Sequence, residues 1–227
     1  MKFRLLIILI FTFVVKLYAG APAPSTSLPQ PPYIFKKGTL LTINVEWKKK
    51  AIKKYLPENN ETENTINGGI DVYFTKHKKP LNKIDYALMW VNLQNEEKKI
   101  FLAFVGPDYD SNRLIEKISE KSLNLAKSRL MLINNKVSFR TNVNNKQVFN
   151  LSGNINEKCK SIEGKPMKIS KDNNKFFIIS NKAALTCGLN NIELDFSENY
   201  NELEVNKILS GLVFKNTDVT FKNLLNN

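Results

Sequence analysis

The sequence predicts a mainly β fold, a β-rich α+β domain that forms a barrel or sandwich with a few short peripheral helices. Short runs rich in β-branched and aromatic residues, several of them alternating apolar with polar, recur along most of the chain. Asn-Asn and Gly-Gly turns separate several of these runs, and only two or three segments show helical spacing. The chain has 227 residues, 42% of them apolar and 24% charged, which suits a globular domain with a sizeable core.

The N-terminal half contains four predicted strands and one predicted helix. Residues 48–58 place Ala51, Ile52 and Tyr55 on one side of a short helix, which ends at Pro57 because proline cannot continue it. A polar loop with a Gly-Gly turn follows. The predicted strands of this half are residues 39–47, 70–77, 84–93 and 98–106.

The strand at 84–93 is apolar on both faces. Tyr86, Leu88 and Trp90 share one face by the two-residue period of a strand, and the residues between them are apolar as well. This pattern indicates a strand buried on both sides, as in the wall of a closed barrel. One interpretation of Tyr86 and Trp90 is plain core packing, and the other is that they line a ligand cavity.

The C-terminal half is predicted to be a meander of hairpins. A short helix is expected within 111–127, with Ser111 as its N-cap, and a second helix near 200–213. Asn-Asn turns separate the first three strands after 124. The predicted strands are 125–133, 136–143, 147–155, 175–181, 191–197 and 219–225.

The first twenty residues have the features of a secretory signal peptide. Lys2 and Arg4 precede about a dozen apolar residues, and small residues follow. The apolar stretch is short for a membrane span, which needs about 20 residues, although an uncleaved anchor is the alternative. We therefore expect a signal peptide at 1–20, a Pro/Ser-rich linker at 21–32, a single β-rich domain at 33–227, and an exported location, either secreted or periplasmic.

The chain is strongly basic, with a formal net charge of +13. Removal of residues 1–20 removes three cations and no acids, which leaves +10. An anionic surface such as a membrane or a glycan is one candidate partner, while the alternative is that the scattered lysines are only solvated. We expect no nucleic-acid partner, because no binding motif is present and the protein is expected to be exported.

Two cysteines, Cys159 and Cys187, are predicted to form a disulfide, as a lone pair in an exported protein usually does. The bridge would close a loop of about 28 residues and stabilise the fold by roughly 3–4 kcal/mol. Two free thiols or an intermolecular bridge are the alternatives. With two cysteines and a single histidine, His77, we expect no metal site.

The common catalytic motifs are missing from the sequence. It contains no phosphate-binding loop, no G-x-S-x-G elbow, and no pattern around His77 that suits a catalytic triad. The carboxylate pairs lie in polar stretches typical of solvated loops. These observations predict no cofactor and no catalytic site of these types.

The N-terminal half nevertheless resembles the acetoacetate decarboxylase family. "PPYIFKKGTLLTINVEWKKKAIKKYLPE" (31–58) is similar to its opening, where prolines and aromatic residues precede a strand and a short helix that ends in a "LLPE"-like sequence. "GGIDVYF" and "DYALMWVNL" fit its barrel strands, so the resemblance covers roughly residues 31–150. It implies an acetoacetate decarboxylase-like β-barrel.

The same resemblance points to a missing catalytic group. The family has a segment of the type REIWGYPKKLAKI, in which the first lysine of the pair forms a Schiff base with a ketone and the second lowers its pKa. In "SLNLAKSRL" (122–130), residues 125–127 match the Leu-Ala-Lys that follows the pair. Leu123 and Asn124 then occupy the two lysine positions, and neither carries an amine.

We therefore expect an exported, non-catalytic member of this fold that binds a small apolar or carboxylated ligand in a barrel cavity. The expected ligand-binding residues are Tyr86, Trp90 and Lys127, and no catalytic residue is assigned. One alternative is a decarboxylase or aldol-type lyase that uses a relocated lysine. The other is a basic protein that interacts with the cell-envelope surface.

Overall fold

The computed structural model describes nine segments of the chain. These are residues 32–55, 65–75, 84–93, 97–106, 114–116, 123–161, 166–171, 175–197 and 199–223. The expected signal peptide, nearly all of the expected linker, Ser111 and His77 lie outside the described residues.

Eleven strands make up most of the described structure, and this predominance of strands confirms the predicted β-rich fold class. A short helix, α1 (Lys49–Ile52), and a 3-10 turn (Lys53–Tyr55) follow the first strand, and residues 114–116 are helical. The strands are β1 (Tyr33–Lys48), β2 (Thr65–Phe74), β3 (Tyr86–Asn92), β4 (Glu97–Val105), β5 (Leu123–Leu125), β6 (Lys127–Ile133), β7 (Lys136–Val143), β8 (Lys146–Lys160), β9 (Met167–Lys171), β10 (Lys175–Phe196) and β11 (Val205–Asn223).

Seven strands form the barrel. Their order is β11-β1-β2-β3-β4-β9-β10, and β10 pairs again with β11 to complete the ring. All of these pairings are antiparallel except β4–β9, which is parallel and joins only Glu97 and Lys98 to Lys168 and Ile169. A ring of this kind leaves few unpaired strand edges, which is how barrels avoid exposing backbone groups.

A second layer extends from the long strand β10. The C-terminal part of β10 leaves the barrel and pairs with β8. In this layer β8 pairs in turn with β7, and β7 pairs with β6. The turns β6–β7 and β7–β8 are Asn-Asn pairs whose φ angles lie between 48° and 64°, as the sequence predicted for tight hairpins. Cys159 and Cys187 face each other across β8 and β10 and form the predicted disulfide.

The barrel wall separates two hydrophobic clusters. Along β3, Tyr86, Leu88 and Trp90 face the cluster enclosed by the ring, while the intervening residues face the cluster between the barrel and the β8–β7–β6 layer. Both faces of β3 are buried, which confirms the prediction for 84–93.

The predicted helix near 200–213 is wrong. Residues 199–202 form a turn, and β11 begins at Val205. This segment pairs along most of its length with β1 and also with β10, and these long-range ladders outweigh its helical spacing. Within the described ranges, no helix is long and apolar enough to cross a membrane.

Candidate functional site

The two aromatic residues predicted to line a cavity lie inside the barrel. Tyr86 is 2% exposed and Trp90 is 1% exposed, and both belong to the cluster enclosed by the ring. They occupy different levels along β3. Tyr86 pairs with Val105 near one end of β4, whereas Trp90 pairs with Ile100 toward the other end.

The level around Tyr86 is filled with aromatic rings. The Tyr73 and Tyr86 rings lie 5.6 Å apart, and Phe221 lies 6.1 Å from Tyr86 and 5.7 Å from Phe35. The Tyr73 hydroxyl donates to the Phe35 carbonyl at 2.9 Å, with the Thr217 carbonyl at 3.1 Å as a second acceptor. Burial raises the pKa of both phenols, so they remain protonated. The part of the barrel interior around Tyr86 is therefore filled with packed, uncharged side chains.

The level around Trp90 contains a buried carboxyl group, Asp71. It projects from β2 on the same strand face as Tyr73 and is 6% exposed. Burial raises the pKa of Asp71 from 3.8 to about 6, because desolvation disfavours the charged carboxylate. The Lys98 ammonium, the Thr42 hydroxyl and the Trp90 indole act against this rise.

Lys98 completes this level from β4. Its Nζ lies 3.4 Å from the centroid of the Trp90 ring, a cation–π geometry. Burial lowers the pKa of the Lys98 ammonium, and the charge of Asp71 pulls that pKa back upward. We call Thr42, Asp71, Trp90 and Lys98 the inner site, since four consecutive strands, β1 to β4, supply one residue each.

Two polar atoms of the inner site form no hydrogen bond of good geometry among the described residues, although the Trp90 indole lies near enough to Asp71 to lower its pKa. They are Oδ1 of Asp71 and Nε1 of Trp90, and both are buried. A buried donor or acceptor without a partner costs about 1–3 kcal/mol, so such atoms mark places where a further polar group fits. Here the indole N–H would suit a hydrogen-bond acceptor, and so would Asp71 when it is protonated, whereas an ionised Asp71 would need a donor.

A glycine in β2 makes room for the Trp90 indole. A Cβ atom at Gly69 would lie 2.4 Å from the Trp90 ring and 2.6 Å from the Ile43 carbonyl oxygen. Only a residue without a side chain allows the indole to lie so close to the strand. The local "GG" therefore positions Trp90 as well as continuing the strand.

The barrel becomes polar beyond the inner site. Asn44 and Glu46 continue the face of β1 that carries Thr42. The Asn44 amide donates to the Ser210 hydroxyl at 2.8 Å, and the Asn206 amide donates to Glu46 at 3.1 Å. These partly exposed side chains lie between the buried inner site and the surface. One end of the barrel is therefore polar, and the inner site lies just inside it.

The positions where the resemblance expects a lysine pair lie on β5. Leu123 pairs with Ala103 of β4, and its side chain packs against the cluster inside the barrel. Asn124 is next in the strand and points the other way. Leu123 therefore faces the barrel interior and has no amine.

Lys127, the third predicted ligand-binding residue, lies apart from the other two. It begins β6, is exposed, and pairs with Asn142 of β7. The structure therefore brings Tyr86 and Trp90 into one cluster and leaves Lys127 on the surface of the second layer.

The sequence reasoning missed Asp71 and Lys98. A usable signal was present, because an aspartate within the apolar run "GGIDVYF" is unusual for a buried strand. Lys98 directly precedes an apolar strand and gave no comparable signal. Across the segments that the structure describes, no group of three or more His, Cys, Asp or Glu side chains could hold a metal ion.

Comparison with known proteins finds solved structures with a similar fold, but no match in sequence. No protein-family profile matches the chain, and no curated protein matches it in sequence. Among solved structures, acetoacetate decarboxylase from Legionella pneumophila is similar with a TM-score of 0.63 and 13% identity, over 92% of this chain and 93% of that one.

Two other solved structures are similar with slightly lower TM-scores. The enduracididine biosynthesis enzyme MppR, complexed with pyruvate, has a TM-score of 0.59 and 10% identity over 87% of this chain and 90% of that one. An acetoacetate decarboxylase-like enzyme from Sphingomonas wittichii RW1 has a TM-score of 0.55 and 9% identity over 90% of this chain and the whole of the other. At these identities the likeness concerns the fold alone, and the chain has the fold of acetoacetate decarboxylase and the enzymes that resemble it.

Proposed function

We propose that this chain is an exported, non-catalytic ligand-binding protein that holds a small carboxylated molecule in the inner site of its barrel. The observation that carries the proposal is the Lys98 ammonium, which lies on the Trp90 ring beside the buried Asp71. A cation and an indole N–H that forms no hydrogen bond of good geometry, near the polar end of the barrel, form an arrangement that suits an anion.

The charge of Asp71 determines when an anion can enter. An ionised Asp71 repels a carboxylate ligand, whereas a protonated Asp71 can donate a hydrogen bond to it. Because its pKa is about 6, the protonated form dominates below that pH and is scarce at pH 7.5. Affinity for a carboxylate should therefore increase roughly 20-fold between about pH 7.5 and 5.5, in proportion to the competent fraction.

The comparisons support a small oxo acid as the first probe. One structure with this fold was obtained as a complex with pyruvate, which combines a carboxylate with a ketone. A molecule of this size offers one anionic group for Lys98 and one acceptor for the Trp90 indole.

Calorimetric titration of the purified chain with pyruvate at both pH values tests the proposal. We expect binding at pH 5.5 that weakens at pH 7.5, and a loss of at least about tenfold in Lys98→Met. Lys127→Met is the matched control, since this lysine is exposed on β6, and it should bind like the unmodified chain. Affinity that rises with pH, or that survives Lys98→Met, would contradict an anion site at Lys98.

The relocated-lysine enzyme is the second candidate, and the location of Lys98 favours it. Burial lowers the pKa of Lys98, which increases the fraction of free amine. Such an amine could attack a ketone carbon and form an imine, with water leaving after Asp71 protonates the hydroxyl group. The Trp90 ring and the Asp71 charge act in the opposite sense because they stabilise the ammonium, so we favour binding without catalysis.

Borohydride reduction separates the two candidates. The chain is incubated with pyruvate or a diketone, reduced, and analysed by peptide mass spectrometry. Non-catalytic binding predicts no lysine adduct, while a stable adduct at Lys98 that is absent in Lys98→Met would establish the enzyme instead.

Export is supported by the disulfide and by the N-terminal sequence. Expression of the full chain in a secreting host, followed by intact mass measurement, tests it. We expect a secreted product that has lost about the first 20 residues and two further mass units for the disulfide. Retention of the intact N-terminus in the cell fraction would exclude cleavage and export.

A further inference from the structure

The four-stranded layer β6–β7–β8–β10 has one face in the core and one face directed outward. Val137, Phe139 and Leu151 point into the cluster between the layers, so the alternating residues of the same strands point outward. The outer face, as we name it, consists of Arg129, Met131, Ile133, Lys136, Ser138, Arg140, Asn150, Ser152, Asn154, Glu193 and Asp195.

Charge changes sign across the outer face. The pairing register places Arg129, Arg140, Asn150 and Asp195 in one row across the four strands. Arg129 and Arg140 stand directly opposite each other, which is unfavourable for two cations on neighbouring strands unless an anion is nearby. The two acids of the face, Glu193 and Asp195, both lie on β10 at the far side. The face is therefore basic at β6 and β7 and acidic at β10.

The outer face also carries protruding apolar side chains and a groove. Ile133 on β6 is 63% exposed, and Met131 projects beside it on the same face. A groove of about 720 Å³ begins beside them at Lys136 and Ser138 of β7 and runs across β8 to Ile192 and Glu193 of β10. The protruding apolar side chains thus lie on β6, and the far end of the groove lies on β10 at the opposite side of the same surface.

We propose that the outer face binds the outer face of a second copy of this chain, about a two-fold axis that runs parallel to the strands between β7 and β8. This operation places β6 over the partner's β10 and β7 over the partner's β8, within the same row. Arg129 then faces the partner's Asp195, and Met131 and Ile133 lie over the partner's groove. Sheets that stack with nearly aligned strands are a common packing mode.

An unpartnered atom at the centre of the face fits the same arrangement. Oδ1 of Asn150 is buried and has no hydrogen-bond partner among the described residues. In the dimer Arg140 lies over the partner's Asn150, and its guanidinium can donate to that oxygen after a rotation of the Asn150 side chain brings the oxygen to the surface. Each two-fold contact occurs twice, which gives two Arg–Asp pairs and two Arg–Asn hydrogen bonds.

The area predicts a weak dimer. Four strands about 4.8 Å apart and about six residues long cover roughly 20 Å by 20 Å, which is about half the area per partner of a standard stable interface and suits a weak, transient one. Together with the excess of positive charge on the chain, this predicts dissociation on the order of 10–100 µM. Because the contacts are largely ionic, added salt should weaken the dimer.

Sedimentation velocity over a wide range of protein concentration tests the proposal. We expect the unmodified full chain to pass from monomer to dimer, and Arg129→Glu or Asp195→Arg to remain monomeric because each brings like charges together twice. Lys207→Glu, on the exposed side of β11, changes the net charge by the same amount as Arg129→Glu and should dimerise normally.

Mixing the two charge variants gives the sharper result. In a dimer of one Arg129→Glu chain and one Asp195→Arg chain, both contacts join a carboxylate to a guanidinium, so the mixture should dimerise although neither variant does alone. Circular dichroism confirms that each variant is folded. A monomer at every concentration, a dimer that ignores both substitutions, or a mixture that stays monomeric would each overturn the proposal.

Discussion

The inner site and the outer face use similar charged groups in opposite surroundings. In the inner site, Asp71 and Lys98 lie within the barrel, where burial raises the pKa of the carboxyl to about 6 and lowers that of the ammonium. On the outer face, Arg140 and Asp195 are exposed to water on either side of Asn150. The comparison teaches that desolvation makes the inner groups chemically responsive, whereas the exposed outer charges contribute little to folding and are available for the proposed contact between copies.

Removal of the inner cation should have the largest effect. Lys98→Met removes the cation–π contact with Trp90 and the positive charge that favours ionised Asp71, and together these losses should lower the free energy of unfolding by about 3 kcal/mol at neutral pH. Urea denaturation at pH 7.5 and 4.5 measures it, and the loss should shrink at the lower pH, where Asp71 is protonated. Lys127→Met is the exposed control, and an equal loss in both variants would remove the distinction between the two regions.

Acidification should stabilise the inner site. The folded pKa of Asp71 is about 6, above the ordinary 3.8, so the folded state binds this proton more readily than the unfolded state does. This stabilising contribution therefore grows as the pH falls from just above 6 and is complete near pH 3, below the unfolded pKa, where it reaches about 3 kcal/mol. Lys98, Tyr86, Trp90 and Thr42 are the groups that interact with it.

The measurement compares the unmodified chain with Asp71→Asn by urea denaturation across this pH range. The unmodified chain should gain stability relative to the variant as the pH falls. A difference that is independent of pH would show that Asp71 titrates near its ordinary value and that the inner site is wetter than the structure indicates.

Crowding the indole should have an intermediate effect. Gly69→Ala introduces a methyl group 2.4 Å from the Trp90 ring, and overpacking of this kind destabilises by roughly 1–3 kcal/mol. Gly106→Ala is the matched control, because its nearest atoms would be 3.6 Å away. Chemical denaturation followed by tryptophan fluorescence reports both stability and the surroundings of Trp90, and a tolerated Gly69→Ala would mean that the indole has another place to go.

Substitution on the outer face should have the smallest effect on folding. Arg140→Ala removes an exposed charge, so the free energy of unfolding should change by no more than about 0.5 kcal/mol. The same variant should weaken the proposed dimer, which sedimentation velocity measures. A large loss of stability in dilute monomer would indicate that Arg140 supports the fold instead of a contact between copies.

Local sequence signals were sufficient for much of the β structure. Alternation in 84–93 predicted a doubly buried wall strand, and the Asn-Asn pairs predicted the hairpin turns of the second layer. The same kind of signal failed at 200–213, where the helical spacing of the apolar residues competed with pairing to β1 and β10. Of these two partner strands, β1 is more than a hundred residues away in the sequence. A local pattern cannot reveal a partner strand that is distant in sequence.

The sequence by itself determined the β-rich class, the two faces of β3, the tight turns and the partnership of the two cysteines. These follow from short-range periodicity, turn chemistry and the small number of cysteines. Only the tertiary structure decided that β10 and β11 close the barrel and that Asp71, Trp90 and Lys98 meet from three strands. Burial and proximity are properties of the assembled barrel, and they turn two ordinary charged residues into a site.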